Sequence, residues 1–500
     1  MTATVSNSSD PASRMLEWLA REPRDDCLED LEALSDFLVP LIEVADGSES
    51  IVVCADLVAV RALDISERFK PRLLAGRLPL EKSMHAAAER LTEALRGVAR
   101  VFEGVIAASP PVALKAHAAH QALRMLGEGF MIAYMSGIEP PAALWREANR
   151  VLRKRIDSAD ADEGESQWQA ALAEYKRVLA IAAVQPESLT ARELHWLFEY
   201  LDVVAGAVEL TGSPLKPDGP VFWIDLARDQ PPVALVRMAP RGGDLLMYFR
   251  ALGVSKRAGE QIEWLETRLA EAEIVGIERD VELLEPEVSG LPLGLTPEEV
   301  LSMLRRLRER WTTPPAREHL RRENHYRVQV CKGLKQIWKL FRTGLSEAAI
   351  SEWRVYNESP GGYAIMNIGK LDDDVSAGMA LALRRGIGEP WSICVVRWIR
   401  GDNPLELELG LQVVGERCRP VMVGFRGGEM RAPSPALLFP AEFGRGNAAI
   451  VAPAGTYTSR RFVMVHETDH LYVAQGRVLS LDMQTAAIEM FQYEIDPYPI

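Results

Sequence analysis

The chain has 500 residues, too many for one ordinary domain, and at about 150 residues per domain the length points to three or four. Its 48% hydrophobic and 26% charged content is that of a globular protein with enough apolar material for several cores. The net charge of −14 excludes a general DNA or RNA binder, which needs excess positive charge to displace counterions from phosphates. Any anion site must therefore be a local basic cluster within an acidic protein.

In chain order, residues 1–11 are polar, with neither a basic n-region nor an apolar h-region, and read as a flexible tail. From 12 to 210 apolar residues recur at helical spacing, as with Leu91, Leu95, Val98 and Phe102, and predict an all-α domain. Pro110-Pro111 and Pro140-Pro141 open new segments there, and Thr190 with Glu193 reads as a capping box. Between residues 51 and 63 the apolar run is broken by Asp56 and Arg61, so no stretch reaches the roughly 20 apolar residues of a membrane span. From 214 to 312 a small mixed α/β segment is expected. Its strands fall near 221–226, 233–238 and 245–249, followed by helices near 256–273 and 297–311.

After Pro314-Pro315 the pattern becomes β. Strands are expected at 327–340, 351–356, 363–368, 378–383, 393–400 and 405–414, then at 437–439, 449–452, 461–466, 471–479 and 486–492. Many short strands at close spacing favour barrels or sandwiches over a parallel sheet. The fold class is multidomain α+β: a helical domain over 12–210, a mixed segment over 214–312, a six-stranded β unit over 314–426, which the family resemblance given below implies is an antiparallel barrel, and a second small β unit over 427–500.

Arginine is concentrated where the β region begins. Arg305, Arg306, Arg308 and Arg310 lie on an amphipathic helix with acidic neighbours and read as a solvated face. Arg317, Arg321, Arg322 and Arg327 instead follow a double proline and enter a strand, and guanidinium groups bind phosphate bidentately and stack on bases. Thirty residues on stands Asn357-Glu358-Ser359-Pro360-Gly361-Gly362. By itself this is a strand-to-strand turn. Further on come Val395-Val396-Arg397-Trp398 and Leu409-Gly410-Leu411-Gln412.

Taken together these elements resemble the PilZ domain, the bacterial receptor module for cyclic di-GMP. That family carries RxxxR before its first strand and [D/N]xSxxG after its second. Asn357, Ser359 and Gly362 fit the second element. Arg317 and Arg321 have the RxxxR spacing, whereas Arg322 and Arg327 abut the strand more closely with one extra residue between them; both pairs stay open. The resemblance covers roughly residues 315–425 and implies a barrel that binds cyclic di-GMP. The arginines would grip phosphates and stack on guanine, Asn357 would read the guanine edge, Ser359 would hold phosphate or ribose, and Gly362 would admit a close approach. It further implies a non-enzymatic receptor whose helical half engages an unidentified protein partner. The alternative is a PilZ-like scaffold that has lost the nucleotide and acts through protein contacts.

Other motifs carry less. His466-Glu467-Thr468-Asp469-His470 matches HExxH, with Glu489 as a conceivable third ligand, but that zinc signature needs a helix and its flanks are β-like, so it reads as a hairpin turn. GxSxG, GxxxxGK[ST] and GxGxxG do not occur, so no catalytic set is supported. Cys27, Cys54, Cys331, Cys394 and Cys418 are scattered and without a CxxC pair, so neither a metal site nor a disulfide framework is expected. The expectation is a reduced, cytoplasmic protein with no cofactor.

Overall fold

The computed structural model describes residues 11–45, 48–156, 165–216, 220–243, 245–275, 286–314, 320–344, 350–367, 375–425, 433–441, 445–457, 461–467 and 471–496. These fall into two compact units. The first is Met1–Gly76, Leu80–Ala183 and Leu197–Gly253; the second is Arg77–Pro79, Val184–Trp196 and Val254–Ile500.

The first unit is built on helices α1 (Pro11–Leu19), α2 (Cys27–Val44), α3 (Glu49–Ala75), α4 (Lys82–Ala107), α5 (Val112–Met135), α6 (Leu144–Ile156), α7 (Glu165–Ala183) and the greater part of α8 (Ala191–Val204). Sequence spacing dictates these: Leu91, Leu95, Val98 and Phe102 all lie on the buried stripe of α4. Asp26 caps α2 by accepting from the Leu28 amide. The anticipated box at α8 is formed, Glu193 accepting from the Thr190 amide at 3.0 Å. A four-stranded sheet of order β1-β4-β2-β3 completes the unit, from β1 (Glu209–Thr211), β2 (Phe222–Asp225), β3 (Val233–Ala234) and β4 (Leu246–Arg250).

The mixed segment expected over 214–312 is thus divided. Its sheet belongs to the first unit, while most of α9 (Leu252–Val275) and all of α10 (Pro286–Ser289) and α11 (Pro297–Thr312) belong to the second. The strand expected over 233–238 shrinks to two residues, paired to β2 only at Phe222 and Trp223. Thr296 and Glu299 close a complete capping box on α11.

The rest of the second unit holds two closed six-stranded antiparallel barrels. The first comprises β5 (Arg322–Lys332), β6 (Ile350–Ser359), β7 (Gly362–Asn367), β8 (Ala380–Arg384), β9 (Ser392–Asn403) and β10 (Glu406–Gly415). The single strand expected over 327–340 is corrected here: it ends at Lys332, and α12 (Leu334–Thr343) follows. The physical reason is helical spacing, since Leu334, Ile337 and Leu340 form one buried stripe. The second barrel comprises β11 (Arg419–Phe425), β12 (Ser434–Phe439), β13 (Ala449–Pro453), β14 (Arg461–Glu467), β15 (Leu471–Gln484) and β16 (Ile488–Ile495). Because β11 pairs with β12 and β14, the barrels divide between Gly415 and Arg419, not at 426 as the sequence suggested.

No helix among the described residues is long and apolar enough to cross a membrane. All five cysteines are free. Burial pushes the Cys331 thiol up to about 11 and those of Cys394 and Cys418 up to about 12, which keeps them protonated and unreactive at neutral pH.

Candidate functional site

The polar end of the first barrel is organised by β5 and β6. Their antiparallel register sets Arg322 opposite Glu358 and Glu323 opposite Asn357. A bulge between Val355 and Asn357 puts Tyr356 and Asn357 together on the outer side, while Val355 points into the core. Alternation then turns Glu358 inward and Ser359 outward. The hairpin closes with Ser359 opposite Gly362, the Ser359 hydroxyl donating to the Gly362 carbonyl at 3.4 Å.

Gly362 has a steric reason of its own. A Cβ there would strike the Leu411 carbonyl of β10, so only glycine lets the two strands approach. Gly410 is similar: a Cβ would run into the Trp398 indole, which lies across it from the paired position on β9. The tryptophan and glycine quoted from the sequence are therefore a cross-strand packing pair.

The inward side of this end holds a charge cluster. Glu358 accepts from the Tyr326 hydroxyl at 2.5 Å, from Asn324 Nδ2 at 2.8 Å and from Arg385 at 2.8 Å. The Arg385 guanidinium also lies 4.5 Å from the Tyr326 ring centroid, a cation–π contact. The Tyr326 hydroxyl, assisted by Asn324 and Arg385, holds the Glu358 carboxyl below its ordinary value. On the outer side Tyr356 donates to Glu408 at 3.2 Å. Burial and that carboxylate push the Tyr356 hydroxyl up, against the opposing charges of Arg321 and Arg400. Arg400 in turn lies over the Trp398 ring at 5.6 Å.

The sequence-chosen residues are distributed as follows. Register brings Arg322 opposite Glu358, on the inward-facing side, while Glu323 is the residue opposite Asn357, and Arg321 acts on Tyr356 next to Asn357. Arg327 lies further along β5, opposite Arg354, and pairs with Glu352 at 3.2 Å on an exposed surface. Arg317 lies outside the described residues. Tyr326, Glu358 and Arg385 were not singled out from sequence, although Glu358 stands inside the quoted hexapeptide and Arg385 lies two residues past the strand expected over 378–383. Their signal is spatial: three elements meet at one barrel mouth.

Two family models match the chain. One, described as the N-terminal domain of the cyclic-di-GMP receptor FimW, matches residues 13–217. The other, described as the middle PilZ domain of that receptor, matches residues 343–420, which spans β6 to β10. The first barrel is a PilZ domain. The match begins at Thr343, the last residue of α12, so the arginine-bearing strand of the PilZ barrel lies ahead of it. No curated protein and no solved structure matches the chain.

In the second barrel, His466 stands on β14 opposite Tyr472, on a strand and not the helix that the zinc signature requires. Thr468, Asp469 and His470 lie outside the described residues. Glu489 is buried and already accepts from the Tyr457 amide at 2.9 Å and Gln484 Nε2 at 2.8 Å.

Proposed function

We propose that this chain is a receptor that binds cyclic di-GMP at its PilZ barrel, acts as a regulator and not as an enzyme, and relays occupancy to its helical half, where a protein partner engages. The observation that carries this reading is the register of β5 on β6, which sets Arg322 opposite Glu358, the residue between Asn357 and Ser359, in a chain matched by two models of a cyclic-di-GMP receptor. Arg321 and Arg322 would grip phosphate and stack on guanine, Asn357 would read the base edge and Ser359 would hold phosphate or ribose. The arginine segment stands in sequence between the helical half and the barrel, so a change in its conformation on ligand binding is the natural start of a relay.

Calorimetric titration tests this. The wild type is expected to bind, and Arg322→Ala and Ser359→Ala to weaken binding at least tenfold. No heat at high micromolar cyclic di-GMP overturns it. One observation favours the scaffold reading: Glu358 places a carboxylate at the barrel mouth and already engages Arg385. The same titration separates the two, because a scaffold gives no heat with either wild type or variants.

A further inference from the structure

The two barrels share one plan. In the first, the ring of paired strands runs β5-β6-β7-β10-β9-β8 and back to β5. In the second it runs β11-β12-β13-β16-β15-β14 and back to β11. Numbering each barrel's strands one to six gives the same cycle, 1-2-3-6-5-4, with every pair antiparallel. An antiparallel six-strand ring can be threaded in many ways, so this identity is informative, and it concerns a region that neither family model covers beyond residue 420.

The correspondence reaches individual positions. Asn357 and Ser359 stand at the end of the second strand of the PilZ barrel and face outward. At the end of the second strand of the other barrel stand Leu437 and Phe439, also facing outward, since Ala436 and Leu438 pack on that barrel's interior. Leu437 and Phe439 are both fully buried. They share one core with Leu334, Ile337 and Leu340 of α12, with Ala380, Ala382, Ile393 and Val395 on the outer face of the PilZ barrel, and with Ile488 and Met490. Trp338 of α12 adds a polar pin by donating from its indole to the Val421 carbonyl at 2.9 Å.

We propose that residues 419–495 are a second barrel of PilZ topology whose ligand-facing edge has become a docking face, with Leu437 and Phe439 in the positions of Asn357 and Ser359. The second barrel is then blind to the nucleotide by construction. Its reading edge is apolar and filled by α12 and its sister barrel, and its task is to hold that helix against the PilZ barrel. Describing Asn357 and Ser359 as ligand-reading rests on the proposed function; the docking face does not, and it is tested without ligand.

The test is thermal unfolding of the full chain by scanning calorimetry. Leu437→Asn combined with Phe439→Ser buries two polar groups in an apolar seam and leaves voids, and is expected to lower the main transition by roughly 5–10 °C. Asn357→Ala combined with Ser359→Ala, at the matching positions of the PilZ barrel, is expected to leave it within about 1 °C. Equal behaviour of the two double variants overturns the proposal. Should the seam variant fail to fold, Phe439→Leu keeps the site apolar, and hydrogen exchange is the readout. Amides of α12 are expected to exchange several-fold faster while those of β6 hold their wild-type rates; unchanged exchange in α12 overturns the proposal.

Discussion

The helical unit and the PilZ barrel both carry ionic clusters, but they place them oppositely. In the helical unit, beside surface pairs such as Arg24 with Glu29, several clusters are inside. Glu147 of α6, almost wholly buried, accepts from Arg96 of α4 at 2.7 and 2.9 Å and from Arg100 at 3.2 Å. Asp30 pairs with Arg68 at 2.8 Å, and Glu128 accepts from Ser66 at 2.5 Å and from Lys70 at 2.9 Å. In the barrel the interior is apolar and the charges sit at the mouth and on the outer face, where water and a ligand can reach them. Buried charge that is fully engaged serves architecture, because removing one partner strands the other in a low dielectric. Charge at a rim costs little to rearrange and so is available for binding.

The comparison breaks most visibly at Glu147. Replacing it with Ala leaves the Arg96 and Arg100 guanidiniums without their buried carboxylate, and a loss of about 3–5 kcal/mol is expected in urea unfolding of the full chain. A loss below 1 kcal/mol would mean that water screens this cluster as it does the barrel mouth. The barrel's counterpart is steric. Gly410→Val drives a side chain into the Trp398 indole and is expected to cost about 1–3 kcal/mol, with a red-shifted tryptophan emission as the ring is pushed outward. Wild-type emission and stability would show that the ring does not depend on that gap.

How much of this was legible beforehand follows from the same physics. The stripe of Leu91, Leu95, Val98 and Phe102 repeats over several turns, so its helix was plain, and the proline pairs and capping boxes marked its neighbours. Short alternating runs separated by turns left barrel and sandwich both open; the first barrel was legible through its likeness to the PilZ domain, and the second only as a small β unit, because closure depends on strand pairings far apart in sequence. Leu334–Thr343 was misread because in ten residues apolar side chains at three-residue steps pass for irregular alternation, and only packing against Leu437 and Phe439 decides for a helix. The motif Asn357-x-Ser359 was visible in the text, whereas Glu358 and Tyr326 come from two strands and Arg385 from the turn after a third, and they meet only through register. The kinship of the two barrels was hidden for a related reason: topology repeats while the residues at the reading edge change from Asn and Ser to Leu and Phe.

The smallest expected effect sharpens the contrast most, since it concerns a charge that is neither buried nor idle. Glu358→Gln keeps the shape of the mouth and can still accept from Tyr326, but gives up the ion pair with Arg385. At neutral pH its stability cost is expected to stay below about 1 kcal/mol, as for other half-exposed pairs. The dependence on pH fixes the sign. Because the folded state holds this carboxyl below its ordinary value of 4.5, its contribution is present above that value and is lost as pH falls through the folded value. Wild type and Glu358→Gln should therefore converge in stability on acidification below pH 4.5 and diverge above it, measured by urea unfolding across that range. A constant difference at every pH would assign Glu358 a packing role alone. With cyclic di-GMP present, the same substitution frees Arg385 and removes a negative charge beside the proposed phosphate grip, so affinity should rise severalfold while stability barely moves. That separation of binding from stability is what a rim charge gives and a buried one such as Glu147 does not.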